Sequence, residues 1–379
     1  MHRKAATNLW LISYGKCRNN YFFKINKMKE AKINTKKRIL LTGASGTVGF
    51  ETLKHLVKNP DYEITVFDIK TSKSLRMLTP FRDRVDIIYG DIGDADWADK
   101  ISYNKDVAIH LAAIIPPLAD LDTQLAYRVN VKGTANLTAA LERNSPDCFL
   151  LFSSSISVYG DRVNDPQILV TDDLRPSPRD QYGETKVLCE KIITESKLQW
   201  SIFRLAAIMG NHKMSRLMFH MPLDTALEIC TPEDTGRAFA NAVDAEAPLK
   251  NQIFNLGGGE ECVISYRSFL NKMFESFGLG GLSFPEKAFA EKNFHCGIMK
   301  DGGQLEEILR FRRQTLDDYF ETVNQKVSPF QRNITFLLKA VIKRRLLAQS
   351  EPYSAYKNGN EIEMNHFFNS GNGINKRVS

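Results

Sequence analysis

The stretch Thr42-Gly43-Ala44-Ser45-Gly46-Thr47-Val48-Gly49 decides the fold, because it joins an apolar segment, residues 38–42, to an amphipathic one, residues 48–58. The first segment has the composition of a buried strand, and the second carries apolar side chains at helical spacing. Glycines at such a junction let the backbone turn tightly, and free N–H groups at the helix N-terminus can then receive a pyrophosphate. The stretch therefore predicts a dinucleotide-binding unit, with a simple glycine turn as the alternative.

Asp68 supports the dinucleotide interpretation. It ends the next predicted strand, 19 residues after Gly49, close to the ~20 residues at which an acid binds the ribose diol of adenosine. A carboxylate there would repel the 2′-phosphate of NADP, so we expect NAD in preference to NADP, although Lys70 lies close by. An acid that merely ends a strand is the less favoured alternative. The cofactor-binding residues predicted from this unit are Gly43, Gly46, Thr47, Val48, Gly49 and Asp68.

Short β-branched runs alternate with helical apolar spacing from residue 37 to about residue 321. The predicted strands are 38–42, 63–68, 85–89, 107–111, 149–154, 201–205 and 252–256, and the principal predicted helices are 48–58, 126–143, 183–196, 265–277 and 315–323. This alternation indicates an α/β fold, a doubly wound parallel Rossmann sheet with helices on both faces. Strands become rare beyond residue 257, so we expect the NAD-binding domain, 37–321, to include a smaller C-terminal substrate-binding region, mainly 208–250 and 258–321.

Tyr182 and Lys186 lie four residues apart on a predicted helix, so their side chains share one face. A neighbouring ammonium favours the phenolate of a tyrosine, whose reference pKa is ~10. The spacing alone is a weak signal, since Tyr353 and Lys357 match it too, in a tail without a strand or serine pattern. Tyr182 differs because a buried-strand pattern at 149–155 precedes it and ends in serines, where open α/β sheets place their ligands. A serine at a strand end can also simply satisfy backbone groups.

Charge is unevenly distributed along the 379 residues, which contain 51 Lys+Arg and 44 Asp+Glu. Residues 1–38 hold 11 bases and one acid, residues 322–379 hold nine and three, and the body between them is acidic. A basic balance confined to the two ends argues against nucleic-acid binding, which requires a basic face on the folded surface. We expect disorder in the Lys- and Asn-rich extension 1–36 and in the polar residues 349–379.

The six cysteines include no C-x-x-C pair, so neither a metal site nor a compact disulfide framework is predicted. Reduced thiols fit a cytoplasmic location. No apolar run approaches the ~18 residues that a membrane-spanning helix requires.

The order and spacing of several motifs together resemble one family. The motifs are Thr42–Gly49, Gly90-Asp91-Ile92, His110–Ala113, Asn130–Thr134, Ser153–Gly160, Tyr182–Lys186, Arg204-Leu205 and Asn255–Gly258. Over residues 37–320 the chain resembles an extended short-chain dehydrogenase/reductase of the NAD-dependent epimerase/dehydratase family. The resemblance implies an NAD-dependent enzyme, and a homodimer formed through helices 126–143 and 183–196.

The resemblance also implies roles for single residues. Ser155 resembles the hydroxyl that orients the substrate oxygen, Tyr182 the acid/base, and Lys186 the residue that binds the nicotinamide ribose and lowers the pKa of the tyrosine. His110, which ends a strand, is expected to be structural. The other residues with implied cofactor roles are Asp91 and Ile92 beside the adenine, Leu111 and Ala112 in the cofactor groove, and Asn130 near the active site.

Departures from the family pattern narrow the function. Dehydratases of the family usually carry an Asp-Glu pair after the active-site hydroxyl, where this chain has Ile156 and Ser157, so dehydration is disfavoured. Sugar-nucleotide epimerases commonly carry an asparagine at the position of Ala207. Arg216 and Lys213 are the fallback candidates for binding a substrate phosphate.

We therefore expect an NAD-dependent epimerase or oxidoreductase that acts on a hydroxyl of a sugar nucleotide or a related polar metabolite, without a metal. A simple dehydrogenase or reductase of a non-nucleotide alcohol or ketone is an alternative, favoured by Ala207. A non-catalytic NAD-binding regulatory protein is a second alternative, which the intact Ser155, Tyr182 and Lys186 disfavour.

The basic tail, residues 322–379, contains a candidate amphipathic helix over 330–348. Its apolar stripe is Ile334, Leu337, Leu338, Val341 and Ile342, beside the basic residues Lys339, Lys343, Arg344 and Arg345. Such a helix can lie on an anionic membrane, although it more often packs on its own domain or on a second subunit.

Overall fold

A seven-stranded parallel sheet forms the centre of the computed structural model, which describes residues 36–210 and 215–369. Its strands are β1 Lys37–Thr42, β2 Tyr62–Asp68, β3 Asp86–Tyr89, β4 Val107–His110, β5 Phe149–Ser155, β7 Gln199–Leu205 and β10 Gln252–Leu256. They follow the order β10-β7-β5-β4-β1-β2-β3. All seven predicted strands and the predicted fold class are confirmed. The chain runs from β1 through β2 to β3 on one side and then crosses to β4 on the other side of β1. Ligands bind at the carboxyl ends of the strands beside such a switch point.

Helices cover both faces of the sheet and form the C-terminal part. They are α1 Thr47–Leu56, α2 Ser72–Leu78, α3 Ala95–Ile101, α4 Leu118–Leu121, α5 Thr123–Ala126, α6 Gly133–Asn144, α7 Gln181–Thr194, α8 Pro232–Ala242, α9 Glu246–Leu249, α10 Tyr266–Ser276, α11 Gly303–Leu309, α12 Leu316–Lys326, α13 Pro329–Leu347, α14 Glu351–Lys357 and α15 Glu361–Phe367. One apolar core lies between the sheet and α1 and α8, and a second lies on the opposite face with α6 and α7. The helix α8, which falls inside the range predicted for substrate binding, packs on α1 through Gly236.

A third core holds the C-terminal region together. Short strands flank it: β8 Ala207–Ile208, β9 Ala226–Cys230 and β11 Val263–Ser265 form one sheet, and β6 Gln167–Ile168 pairs with β12 Ile298–Met299. The segment 330–348, predicted to form an amphipathic helix, forms the helix α13. Among the described residues, no helix has the length and hydropathy needed to cross a bilayer.

The expected disorder of residues 349–379 is wrong for residues 349–369, which contain α14 and α15. Ser350 and Asn360 cap these helices, and the apolar residues Ala355, Phe367 and Phe368 are buried. The composition of the segment is polar, but these few anchors suffice because other parts of the chain provide the surface that they bury. Residues 1–35, 370–379 and Lys213 lie outside the described residues.

Candidate active site

The glycine loop joins β1 to α1 at the switch point of the sheet. Gly43 has a φ of +72°, and a Cβ there would lie 2.7 Å from the backbone of Ala112, so a larger residue would be strained in conformation and in space. Gly46 caps α1 without a side-chain hydrogen bond, and the first turn contains no acid. The N–H groups of this first turn, which includes Thr47 and Val48, therefore suit an anionic ligand.

Asp68 lies beside this loop, as its spacing predicts. Its carboxylate accepts hydrogen bonds from the backbone N–H groups of Ser45, at 2.6 Å, and of Ile69, at 2.8 Å. The residue is 6% exposed. The loop and the acid thus fit the pyrophosphate and ribose of a dinucleotide.

Asp91 and Ile92 follow the third strand. The carboxylate of Asp91 pairs with Arg128 and accepts the N–H of Gly93 at 2.9 Å. The side chain of Ile92 is buried and faces Gly133 at the start of α6. Their predicted contacts with an adenine stay a prediction.

A series of contacts connects the glycine loop to the helix that carries Tyr182. The Thr42 hydroxyl accepts the N–H groups of Leu111 and Ala112, both at 3.2 Å. Asn130 lies in a π-helical segment, residues 127–132, of the kind often found at functional sites. Its amide accepts the N–H of Ile114 at 2.7 Å and donates to the Thr185 hydroxyl at 3.1 Å. Asn130 therefore fixes the loop after β4 against α7.

Ser155, Tyr182 and Lys186 meet at the carboxyl end of β5. The Ser155 hydroxyl lies close enough to the phenol of Tyr182 to lower its pKa. The ammonium of Lys186 donates to the carbonyl of Ser153 at 2.7 Å and lies 5.7 Å from the centre of the Tyr182 ring. The structure thus brings together the three residues that were predicted to be catalytic.

The electrostatics of the tyrosine differ from the sequence expectation. Burial raises the pKa of Tyr182 above its ordinary value, and the neighbouring Ser155 hydroxyl lowers it only in part. Burial also lowers the pKa of Lys186 to about 8. Desolvation therefore sets the direction of the shift, opposite to the acidification expected from Lys186, and the phenol of the ligand-free protein is protonated at neutral pH.

His110 is enclosed by hydroxyls. Its Nδ1 lies 2.8 Å from the Thr42 Oγ1 and its Nε2 lies 3.0 Å from the Thr134 Oγ1. Burial, with a smaller effect of Lys186, lowers the pKa of His110 to about 3. A neutral imidazole with both nitrogens engaged fits the structural role expected for it.

A buried polar network next to the site was missed by the sequence reasoning. Glu190 pairs with Arg204 at 2.8 Å and accepts the Ser154 hydroxyl. Arg204 also donates to the Tyr159 hydroxyl at 2.8 Å, which donates to Asn255 at 2.7 Å. Three residues from the motifs of the family resemblance thus belong to a polar network beside the active site: Tyr159, Arg204 and Asn255. A signal was present, since Glu190 lies four residues after Lys186 on the same helix face.

The sequence also provided no indication of a contact between Asp180, two residues before Tyr182, and His295. Asp180 caps α7 by accepting the N–H of Gly183 at 2.8 Å, and its other oxygen lies 2.8 Å from the Nδ1 of His295. Nothing in the sequence connects residues so far apart. No cluster of three metal-ligating side chains occurs in the parts of the chain that the structure describes.

Comparison with known proteins places this geometry in context. The family described as "NAD dependent epimerase/dehydratase family" matches residues 39–245. A D-erythronate dehydrogenase of Haemophilus influenzae is 27% identical over 160 residues, 42% of this chain and 49% of that protein. UDP-arabinose 4-epimerase 1 of Arabidopsis thaliana is 28% identical over 194 residues, 47% of this chain and 45% of that protein.

Solved structures share the fold over a larger part of the chain. The UDP-glucuronic acid 4-epimerase of Bacillus cereus, solved with UDP-glucuronic acid and NAD, has a TM-score of 0.62 at 20% identity, and the match covers 76% of this chain and 99% of that one. The chain spans about half the length of the curated relatives it matches.

Proposed function

The chain belongs to the NAD dependent epimerase/dehydratase family, and from that premise we propose that it is an NAD-dependent enzyme that oxidises a hydroxyl of a sugar nucleotide or a related polar metabolite. The observation that carries the proposal is the meeting of Ser155, Tyr182 and Lys186 at the carboxyl end of β5. This end of the sheet also carries the glycine loop and Asp68.

Bound NAD would supply the hydride acceptor for the reaction. Gly43, Asp68 and the N-terminus of α1 would hold its phosphates and adenosine ribose. Lys186 would give up part of its hydrogen bonding to the carbonyl of Ser153 and contact the nicotinamide ribose instead. Its positive charge would then favour the phenolate form of Tyr182.

The proton follows a separate path. Tyr182 takes the hydroxyl proton of the substrate as the carbinol hydride leaves, and Ser155 donates a hydrogen bond to the carbonyl oxygen that forms. If the keto product stays and receives the hydride on its other face, the substrate is epimerised. If the keto product leaves, the enzyme is a dehydrogenase, as the name of the Haemophilus relative describes that protein.

Absorbance of reduced nicotinamide and product analysis test the proposal. The protein is incubated with NAD and, in separate samples, UDP-glucuronic acid, UDP-arabinose and D-erythronate. Lasting NADH indicates a dehydrogenase, and product without net NADH indicates an epimerase. Tyr182→Phe should lower the rate by about 10³-fold, within the range for a general acid/base.

Tyr353→Phe is the matched control, because Lys357 lies 5.8 Å from that ring, nearly the distance between Lys186 and Tyr182. This control should keep full activity. Unchanged activity of Tyr182→Phe would contradict the mechanism, and NAD binding without turnover of any substrate would favour the regulatory alternative.

We also propose a homodimer through α6, α7 and the segment before α6. Leu188 on α7 and Tyr127 are 42% and 46% exposed, so a partner subunit at this face would bury both apolar side chains. Leu188→Glu should convert a dimer to a monomer in light scattering, while an unaltered mass would exclude this face. A cytoplasmic location, consistent with the five free cysteines that the structure describes, stays a prediction.

Contact of α13 with an anionic membrane is a further proposal for the tail. Phe330 and Leu337 are 75% and 80% exposed, and Lys339 lies between them and the basic end of the helix. Leu337→Glu should reduce co-flotation with phosphatidylserine vesicles. Equal flotation of the parent with neutral phosphatidylcholine vesicles, or none with either, would contradict an electrostatic attachment.

A further inference from the structure

Residues 350–369, named here the clasp, connect the surroundings of Tyr182 to the segment that follows β8. The clasp comprises α14, α15 and their caps, and it buries Ala355 and Phe367. In α15, Glu363 accepts two hydrogen bonds from Arg179, at 2.9 and 3.0 Å. Arg179 lies three residues before Tyr182, so the clasp is attached directly beside the catalytic helix.

The other end of the clasp is held by one carboxylate. Glu351 lies 2.9 Å from the Nη1 of Arg216 through one oxygen and 2.8 Å from the Nε2 of His220 through the other. Arg216 and His220 come from a single turn of 3₁₀-helix, residues 216–219, and its end. The turn follows β8, and the ring of His220 lies 5.2 Å from that of Phe367 in the clasp.

The arrangement around Glu351 is that of an oxyanion site. The Arg216 guanidinium donates to one oxygen of the carboxylate, and the Nε2 of His220 lies 2.8 Å from the other. An arginine that donates to a carboxylate is a common way in which proteins bind the phosphate or carboxylate group of a ligand. The carboxylate is also linked to the catalytic helix, because the clasp that carries Glu351 is held through Glu363 by Arg179, three residues before Tyr182.

The ion pair is also easy to exchange. The side chains of Arg216 and Glu351 are 35% and 44% exposed, and ion pairs this accessible to water contribute little to stability. A phosphate or carboxylate of a ligand can therefore compete with Glu351 at small cost.

We propose that Arg216 and His220 form the site for the anionic group of the substrate, and that Glu351 occupies it until the substrate displaces it. The inference rests on the proposed function, since it names the substrate class of the same active site as phosphate- or carboxylate-bearing. Displacement of Glu351 frees the α14 end of the clasp, so anion binding and opening of the clasp are coupled.

Calorimetry on the NAD-saturated protein tests the proposal with three probes: UDP, D-erythronate and the uncharged nucleoside uridine. Glu351→Gln should tighten binding of UDP or D-erythronate about fivefold, because the competing charge is removed, and should leave uridine unchanged. Arg216→Gln should weaken binding of UDP and D-erythronate. When Arg216→Gln is already present, adding Glu351→Gln should not tighten binding. Glu361→Gln, in the exposed first turn of α15, is the matched control and should behave like the parent.

The arms separate the two ligand chemistries: a gain for UDP alone assigns a phosphate site, and a gain for D-erythronate alone assigns a carboxylate site. Failure of both anions to bind, or a gain that persists with Arg216→Gln, overturns the proposal. Hydrogen exchange of the unmodified protein gives an independent reading, since a bound anion should speed exchange in α14. Unchanged exchange at saturation also overturns it. Failure of NADH formation with intact anion binding would instead overturn only the proposed hydride chemistry.

Discussion

Two arginine–glutamate ion pairs in this molecule have nearly equal N–O distances but differ widely in their exposure to water. The pair Arg204–Glu190 behind the active site measures 2.8 Å, and the pair Arg216–Glu351 at the clasp measures 2.9 Å. The first pair is 4% and 5% exposed, and the second is 35% and 44% exposed. The Coulomb energy of an ion pair depends on the surrounding dielectric constant as much as on distance. The exposure of each pair to water therefore determines how strongly its two charges attract.

The buried pair cannot lose one partner without leaving a charge in the interior, which is costly. The exposed pair can exchange its carboxylate for another anion. We therefore expect the sheet side of the active site, which contains Arg204 and Glu190, to be rigid. We expect the clasp side, which contains Arg216 and Glu351, to change its ion pairs when an anion binds. Four changes test this division, in order of decreasing effect.

Glu190→Gln should be the most damaging. It leaves Arg204 buried without a counter-charge, and we expect the free energy of unfolding to fall by about 3 kcal/mol. Urea denaturation measures it. Glu195→Gln, at the C-cap of the same helix and in an exposed ion pair, should change stability by less than about 0.5 kcal/mol. Equal effects of the two substitutions would remove the distinction between buried and exposed pairs.

His110 should make the sheet side sensitive to acid. Its pKa is lowered to about 3 in the folded protein, whereas an unfolded histidine has a pKa of about 6.5. Below pH 6.5 the unfolded chain therefore binds a proton that the folded protein excludes, and stability falls toward pH 3 by up to about 1.4 kcal/mol per pH unit.

Unfolding experiments between pH 6 and pH 4.5 measure this slope. His110→Asn keeps hydrogen-bonding groups but does not titrate, so this variant should lose about 2 kcal/mol less than the parent over the interval. Carboxylates titrate in both proteins and cancel in the comparison. Parallel pH profiles would show that His110 is not held neutral in the folded state.

Ser350→Ala tests the buried anchor of the clasp. The Ser350 hydroxyl donates to the carbonyl of Ala288 at 2.6 Å and accepts the N–H of Tyr353 at 3.1 Å. Loss of the cap should cost about 1–2 kcal/mol, seen as roughly five- to thirtyfold faster hydrogen exchange in α14. Ser354→Ala, on the exposed side of the same helix, should change exchange much less. Equal acceleration in both variants would mean that Ser350 is not an anchor.

The sequence predicted the sheet side far better than the clasp side, and the reason is physical. Gly43, Tyr182 and the strand before Ser155 have signals that depend on neighbours within a few residues. The partners of Glu351 and Glu363 lie more than 130 residues away, and no local pattern records such a contact.

The direction of the pKa shift at Tyr182 was also beyond the sequence. Spacing placed Lys186 beside the phenol, but only the folded structure shows how strongly burial acts on both groups. Position on a helix is a local property, whereas desolvation is produced by the whole fold.

Glu363→Gln should have the smallest effect of the four changes. The side chains of Arg179 and Glu363 are 53% and 35% exposed, so loss of this ion pair should cost less than about 1 kcal/mol. Hydrogen exchange in α15 should accelerate less than about fivefold. The difference from the parent should shrink in 1 M salt, where the Debye length is about 3 Å. A hundredfold acceleration that persists in high salt would show that the Arg179–Glu363 pair contributes as much stability as a buried pair such as Arg204–Glu190. Opening the clasp would then require more free energy than the loss of exposed ion pairs.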